Sequence, residues 1–134
     1  MTGIDTNVLV RYITQDDPRQ SAVAAQFIEE GCSVEQPGYV NHIVLCEIAW
    51  VLQRCYQTSR KETLRVIEQI LRTEQFRVQD PQVVYLALNL ARAGKADFAD
   101  YLSVSINKEA DCRQTVTFDE ALQGTSGVTV LSEK

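Results

Sequence analysis

The chain is organised around residues 94–101, Gly94-Lys95-Ala96-Asp97-Phe98-Ala99-Asp100-Tyr101. It leads into an apolar run that reaches Ala110 without Gly or Pro, and this length favours a helix over a strand. In such a helix Asp97 is the N-cap and Asp100 the third helical residue, so both carboxylates face the positive end of the helix dipole. Helix capping alone would explain this pair, and a chemical role needs support from the rest of the chain.

Short strands alternate with helices along the remaining sequence. Turn signals and apolar periodicity predict helices over about 18–30, 41–56, 58–73, 81–92 and 97–110. Short apolar runs predict strands around 3–5, 39–40, 76–78, 114–117 and 128–131. Without a repeat, a linker or a low-complexity tract, this alternation predicts one α/β domain over residues 1–134 with a mainly parallel sheet.

Composition excludes several classes of protein. Hydrophobic residues make up 45% and charged residues 23% of the chain, as in ordinary globular proteins. No apolar stretch approaches the roughly 20 residues of a membrane span, and Met1 to Val10 does not resemble a secretory signal. We therefore expect a cytoplasmic protein without membrane association. The net charge of −5 argues against coating nucleic acid by bulk positive charge, but it allows an acidic site that holds cations.

The four cysteines and the single histidine give no metal-binding pattern. The cysteines lack C-x-x-C spacing and mostly lie in apolar surroundings, which predicts buried free thiols in a reducing compartment and disfavours a zinc site. His42 is expected to be structural.

Several carboxylates follow predicted strands or begin predicted helices. Asp5 follows the first strand and Asp119 follows the strand near residue 116. Sites in open parallel sheets form outside the carboxyl ends of the strands, so these two side chains are expected at one edge of the sheet. The helix beginning near Asp97 can bring Asp100 to the same edge.

Glu47 is the only non-apolar residue between Ile43 and Leu52. A helix this apolar is expected to be buried, and a buried carboxylate must be paired, metal-bound or protonated. The alternative is a narrow exposed seam, or an ion pair with Arg54 or Arg11. Four or five converging acids without matching bases favour a bound divalent cation, and oxygen ligands favour Mg²⁺ or Mn²⁺. Such an ion supports hydrolysis of phosphodiesters.

Four segments together resemble a known family, the PIN-domain ribonucleases. They are Ile4-Asp5-Thr6-Asn7-Val8-Leu9-Val10, Leu45-Cys46-Glu47-Ile48-Ala49-Trp50-Val51-Leu52, Ala96-Asp97-Phe98-Ala99-Asp100-Tyr101-Leu102 and Val116-Thr117-Phe118-Asp119. The chain is most similar to the VapC-type toxins of bacterial toxin–antitoxin pairs. The resemblance extends over essentially the whole chain.

The resemblance implies a three-layer α/β/α sandwich that cleaves single-stranded or looped RNA with Mg²⁺ or Mn²⁺. By position, the acidic quartet would be Asp5, Glu47, Asp100 and Asp119, with Asp97 beside it. Which of Asp97 and Asp100 contacts the metal stays open. The resemblance further implies that Thr6 or Asn7 orients Asp5 or a water, and that Thr117 shapes the pocket. It also implies a homodimer inhibited by a small antitoxin.

The sequence thus predicts a metal-dependent endoribonuclease, with Arg11, Arg54 and Lys95 as candidate phosphate contacts. Two alternatives remain. One is a receiver-type regulatory domain in which an aspartate accepts a phosphoryl group, although only Asp5 follows the first strand. The other is a catalytically silent PIN-like module that binds RNA or protein.

Overall fold

The computed structural model describes residues 1–133. Within them the chain forms two compact units, the first comprising Met1–Gln79 and the second beginning at Asp80. The single domain over residues 1–134 stays a prediction.

A parallel sheet of three strands forms the centre of the first unit. Its strands are β1 (Thr2–Gly3), β2 (Gly38–Val40) and β3 (Phe76–Val78), in the order β1-β2-β3. Gly3 is paired with Tyr39, and Tyr39 with Arg77. The predicted parallel sheet is therefore confirmed for this unit, with β2 at its centre.

Four helices lie between these strands along the chain. Between β1 and β2 are α1 (Thr6–Thr14) and α2 (Pro18–Gly31), and between β2 and β3 are α3 (His42–Cys55) and α4 (Arg60–Arg72). Three of them begin where the capping residues predict. Asp17 accepts hydrogen bonds at the start of α2, Asn41 accepts one from the Val44 amide, and Ser59 accepts one from the Glu62 amide. The first unit buries the side chains of Leu9, Ile28, Val40, Leu45, Ile48 and Ile67 completely.

Helix α1 is absent from the sequence-based prediction, which places no helix or strand between the strand around 3–5 and the helix over 18–30, although an apolar run, Val8-Leu9-Val10, lies between them. The structure continues that run as a helix in which Leu9 and Val10 are buried. Val8 and Val10 are β-branched and have low helix propensity, so burial of this face decides the conformation.

The second unit contains two long helices and a pair of parallel strands. The helices are α5 (Pro81–Ala93) and α6 (Phe98–Glu109), and the strands are β4 (Thr115–Thr117) and β5 (Val128–Val130). A short 3₁₀ helix over Glu120–Leu122 follows β4. The two helices pack against each other, and the side chains buried on them include Val84, Ala87, Leu88, Tyr101, Leu102 and Val104.

The cysteines depart from the prediction. Only Cys32 is buried, Cys46 is half-buried, and Cys55 and Cys112 are exposed. The four cysteines, all within the described residues, form no disulfide, as expected. The prediction of burial is wrong for Cys55, the last residue of α3, and for Cys112, which follows α6 between the charged residues Asp111 and Arg113.

His42 is structural, as predicted. Its ring Nε2 lies 2.8 Å from the backbone oxygen of Gln79, and its amide donates to the Gln79 side chain. Among residues 1–133, no helix is both long and apolar enough to cross a membrane.

Candidate active site

The first unit places Asp5 at the start of α1 and Glu47 on α3. Asp5 is the N-cap of α1, yet its side chain accepts no capping hydrogen bond. The hydroxyl of Thr6 donates to Oε1 of Glu47 over 2.5 Å and so joins the two helices. The carboxylate of Asp5 is therefore not used by the helix end, while that of Glu47 is held in place by its neighbour.

A groove of about 360 Å³ brings these residues together within the first unit. Asp5, Thr6, Asn7 and Glu47 line it, and its remaining walls come from Val10, Arg11, Val51, Cys55 and Tyr56. We call it the acidic groove. The structure thus brings Asp5, Glu47, Thr6 and Asn7 together inside this unit, and it places the hydroxyl of Thr6 on Glu47, whereas the prediction was that Thr6 or Asn7 orients Asp5 or a water.

Glu47 is not buried, so the prediction of a buried carboxylate on this helix is wrong. Glu47 is exposed, and so are Ile43 at 70% and Trp50 at 56% on the same helix. Helix α3 buries Val44, Leu45, Ile48, Ala49 and Leu52 on one face only. A count of apolar residues does not reveal that the opposite face, although apolar, meets solvent. The alternative prediction, that Glu47 lies on a narrow exposed face of the helix, is correct.

In the second unit, three carboxylates lie around the start of α6 and the end of β4. Oδ2 of Asp100 accepts a hydrogen bond from the Asp97 amide over 3.3 Å. Oδ1 of Asp119 accepts one from the Ala121 amide over 2.9 Å. The Asp119 amide in turn donates to the hydroxyl of Thr117 over 3.0 Å. Capping therefore uses one oxygen of Asp100 and one of Asp119, and Thr117 fixes the backbone that carries Asp119.

The electrostatics of Asp100 set it apart from an ordinary capping residue. Burial raises the pKa of its carboxyl above the usual value, and the negative charges of Asp97 and Asp119 raise it further. The hydrogen bond from the Asp97 amide acts in the opposite direction. Asp97 and Asp119 are thus close enough to Asp100 to repel its carboxylate, which a structural cap alone does not require.

Of the three predicted phosphate contacts, Arg11 has the most fixed position. Its Nη1 lies 3.1 Å from Oδ1 of Asp16 and donates to the hydroxyl of Tyr56, while its Nε donates to Gln20. Tyr56 also donates to Asp16 over 2.6 Å. The hydrogen bond with Tyr56 and the charge of Asp16 raise the pKa of Arg11. Arg54 lies over the ring of Trp50, and Lys95 is exposed.

Sequence reasoning missed Asp16 and Tyr56, which orient Arg11 at the wall of the acidic groove. In the sequence, Asp16 only precedes the predicted helix over 18–30, and Tyr56 only ends the predicted helix over 41–56. No local signal could have found this contact, because Asp16 and Tyr56 are 40 residues apart in sequence.

A divalent metal suits the kinds of donor present in each unit. Carboxylate oxygens are the ligands that Mg²⁺ and Mn²⁺ prefer. In the second unit, Asp97 and Asp119 add negative charge beside the half-buried carboxyl of Asp100. Among the described residues, 1–133, no three His, Cys, Asp or Glu side chains are grouped so as to hold a metal ion. That the five predicted acids form one metal centre remains a prediction.

A model of the PIN domain family matches residues 4–127, which is most of the chain. The chain therefore belongs to the PIN domain family. PIN domains are generally nucleases, and the helices and parallel strands described above are consistent with the predicted three-layer α/β/α fold. No curated protein sequence matches the chain. Membership of this family rules out the receiver-type alternative.

Proposed function

We propose that this PIN domain is an endoribonuclease that hydrolyses RNA phosphodiester bonds with Mg²⁺ or Mn²⁺. The observation that carries the proposal is the placement of Asp97 and Asp119 beside the half-buried carboxyl of Asp100, whose pKa is raised first by burial and then by these two negative charges. Such an arrangement lowers stability in the absence of a cation, and a bound cation reverses the penalty. Asp5 and Glu47 both line the acidic groove, which supports the proposed nuclease function further.

The residues that would hold the metal are Asp5, Glu47, Asp100 and Asp119, with Asp97 beside them. A divalent cation bound there would lower the pKa of the attacking water and screen charge on the leaving oxygen. Thr6 fixes the rotamer of Glu47, and Thr117 fixes the turn before Asp119. The proposal requires the acids of both units to act on the same scissile phosphate.

Arg11 would contact a phosphate of the substrate strand. Its guanidinium faces the acidic groove and is already oriented by Asp16 and Tyr56, so little conformational entropy is lost when a phosphate binds. Arg54 and Lys95 are the other candidates. The catalytically silent alternative is not favoured, because every acid of the family pattern is present in the sequence.

The direct test is cleavage of mixed cellular RNA by the purified chain with Mg²⁺ or Mn²⁺, and with EDTA as the control. We expect Asp5→Asn and Asp119→Asn each to lower the rate by about 100-fold or more, the scale of losing one preorganised electrostatic group. Two exposed acids outside the candidate site, Glu74 and Asp111, provide matched controls. Glu74→Gln and Asp111→Asn should cleave like the parent. Equal cleavage by parent and Asp5→Asn protein would remove Asp5 from the mechanism.

The chain is further proposed to be the cytoplasmic toxin of a toxin–antitoxin pair and to form a homodimer. A second groove of about 660 Å³ supports binding of a small protein, since it joins exposed Val23 and Phe27 on α2 to Asp5 and Arg11. An antitoxin seated there would reach the acidic residues. Induced expression in a bacterium should arrest growth, whereas Asp5→Asn should not. Unimpeded growth with the active enzyme would refute the toxin role, and sedimentation velocity would test the dimer.

A further inference from the structure

Trp50 is an exposed aromatic residue that neither the fold nor the proposed metal site explains. Its side chain is 56% exposed on α3, the helix that carries Glu47. Tryptophan is highly buried on average in globular proteins, so an exposed indole is informative. The residues exposed on this face are Ile43, Glu47, Trp50 and Arg54, which recur at intervals of three or four and so form one stripe along the helix.

The immediate neighbour of the indole is a cation. The guanidinium carbon of Arg54 lies 5.8 Å from the centroid of the Trp50 ring, a cation–π distance. Ring and guanidinium therefore form one platform with an aromatic surface and a positive charge. Proteins that bind single-stranded nucleic acids combine the same two elements, because bases stack on aromatic rings and the backbone phosphates need positive charge.

The platform lies close to the proposed reaction site. Trp50 follows Glu47 by three residues, a rise of about 4.5 Å along the helix, and Arg54 lies about 6 Å further on. Val51, the neighbour of Trp50, lines the acidic groove with Glu47. A strand whose scissile phosphate lies at Glu47 would thus pass the indole within one or two nucleotides.

We propose that Trp50 binds the substrate by stacking on an unpaired base next to the scissile phosphate, with Arg54 contacting the phosphate of that nucleotide. This inference rests on the proposed function for the position of the cut. It selects unpaired RNA, because the bases of a duplex are stacked on one another and offer no free face. The residue thereby contributes to substrate choice as well as to affinity.

The charges on this face favour a nucleic acid over a protein partner. A protein covering the stripe would bury the Glu47 carboxylate, and burying a charge without a cationic partner is costly. A strand bound along the helix leaves Glu47 hydrated or cation-bound, and it places its own negative charge at Arg54. Ile43, which is 70% exposed, has no role in this arrangement.

The chain contains one tryptophan, so its intrinsic fluorescence reports on Trp50 alone. The full chain in EDTA, where the proposed cleavage is stopped, is titrated with a single-stranded RNA octamer and with the same octamer in a duplex. We expect saturable quenching by the single strand and little by the duplex. Quenching that is equal for both, or absent while the octamer binds, would overturn the inference.

Affinity measured by anisotropy of a labelled octamer supplies the mutational test. Trp50→Ala should weaken binding by about 5- to 150-fold, the range found for one stacked base, and Trp50→Phe should recover part of the loss. Arg54→Ala should weaken binding and reduce the salt dependence by about one phosphate contact. Ile43→Ala is the matched control and should bind like the parent.

The outcomes separate this inference from the proposed nuclease function. RNA binding that depends on Trp50 in a chain that does not cleave RNA would support the platform and refute the enzyme. Cleavage with unchanged affinity in Trp50→Ala and Trp50→Phe would refute the platform and leave the enzyme. If Trp50→Ala and Ile43→Ala both disrupt self-association and neither alters RNA affinity, the face is a protein interface and the inference is wrong.

Discussion

Replacing Gly94 by alanine should destabilise the second unit through one specific overlap. Gly94 follows α5 and leads into the turn that starts α6. A Cβ there would overlap the hydroxyl of Tyr101, lie 2.7 Å from its Cζ, and lie 3.1 Å from the carbonyl oxygen of Leu90. The φ of Gly94 is −115°, which any residue adopts, so the cost comes from space and not from backbone strain. Tyr101 is only 2% exposed and has little room to move.

Overpacking of this kind costs about 1–3 kcal/mol. With 134 residues and about 2.1 cal/mol/K of unfolding entropy per residue, this corresponds to a melting temperature lower by about 4–11 °C. Tyr101→Phe should also destabilise, by about 1–3 kcal/mol, because the hydroxyl accepts a hydrogen bond from the buried amide of Ala96. The double variant should lose less than the sum, since the hydroxyl that overlaps the new Cβ is gone.

The assay is thermal unfolding followed by circular dichroism for the parent, both single variants and the double variant. Gly3→Ala is the matched control, because a Cβ at Gly3 would meet nothing within 4 Å, and its melting temperature should not fall. An unchanged melting temperature for Gly94→Ala, or strictly additive losses in the double variant, would refute the reasoning.

Three further predictions concern single side chains. Burial raises the folded-state pKa of Asp100, so folding takes up protons and the free energy of unfolding falls as pH rises above about 3.9. In EDTA, Asp100→Asn should therefore be at least as stable as the parent at pH 7. Denaturant unfolding at pH 3 and 7 should show that the stability difference between variant and parent shrinks in acid. Asp16 has the opposite sign, since the hydrogen bond from Tyr56 lowers its pKa. Its contribution is present above pH about 3.9 and is lost as pH falls through the folded-state pKa. Asp16→Asn should therefore be less stable than the parent at pH 7, and this deficit should shrink in acid; an equal deficit at both pH values would contradict this. Thr6→Val should lower cleavage by about 10- to 100-fold through misorientation of Glu47, and Thr6→Ser should restore it; full cleavage by Thr6→Val would exclude the positioning role.

Local signals in the sequence predicted most helix boundaries correctly. Asn41 and Ser59 cap their helices as their side chains suggest, because a capping hydrogen bond spans only three residues. Helix α1 could not be predicted in this way, since tertiary burial of Leu9 and Val10 outweighs the low helix propensity of its valines.

The individual acids of the candidate site could be named from the sequence, but their surroundings could not. Glu47 was placed in a core because its neighbours are apolar, whereas the structure exposes it. Its hydrogen bond to Thr6 joins residues 41 positions apart, and no pattern of nearby residues encodes such a contact. The exposure of the Trp50 indole could not be predicted either, because the exposure of a side chain depends on the folded chain and not on its neighbours in sequence.

Calorimetric titration of the metal-free chain with Mn²⁺ tests most directly whether acids from both ends of the sequence serve one cation. We expect the parent protein to bind Mn²⁺ saturably. The affinity for Mn²⁺ should be at least about 10-fold lower in Asp5→Asn and also in Asp119→Asn, and it should be unchanged in Asp111→Asn. Parent protein that takes up no Mn²⁺, or that binds it equally well after both substitutions, would contradict the account.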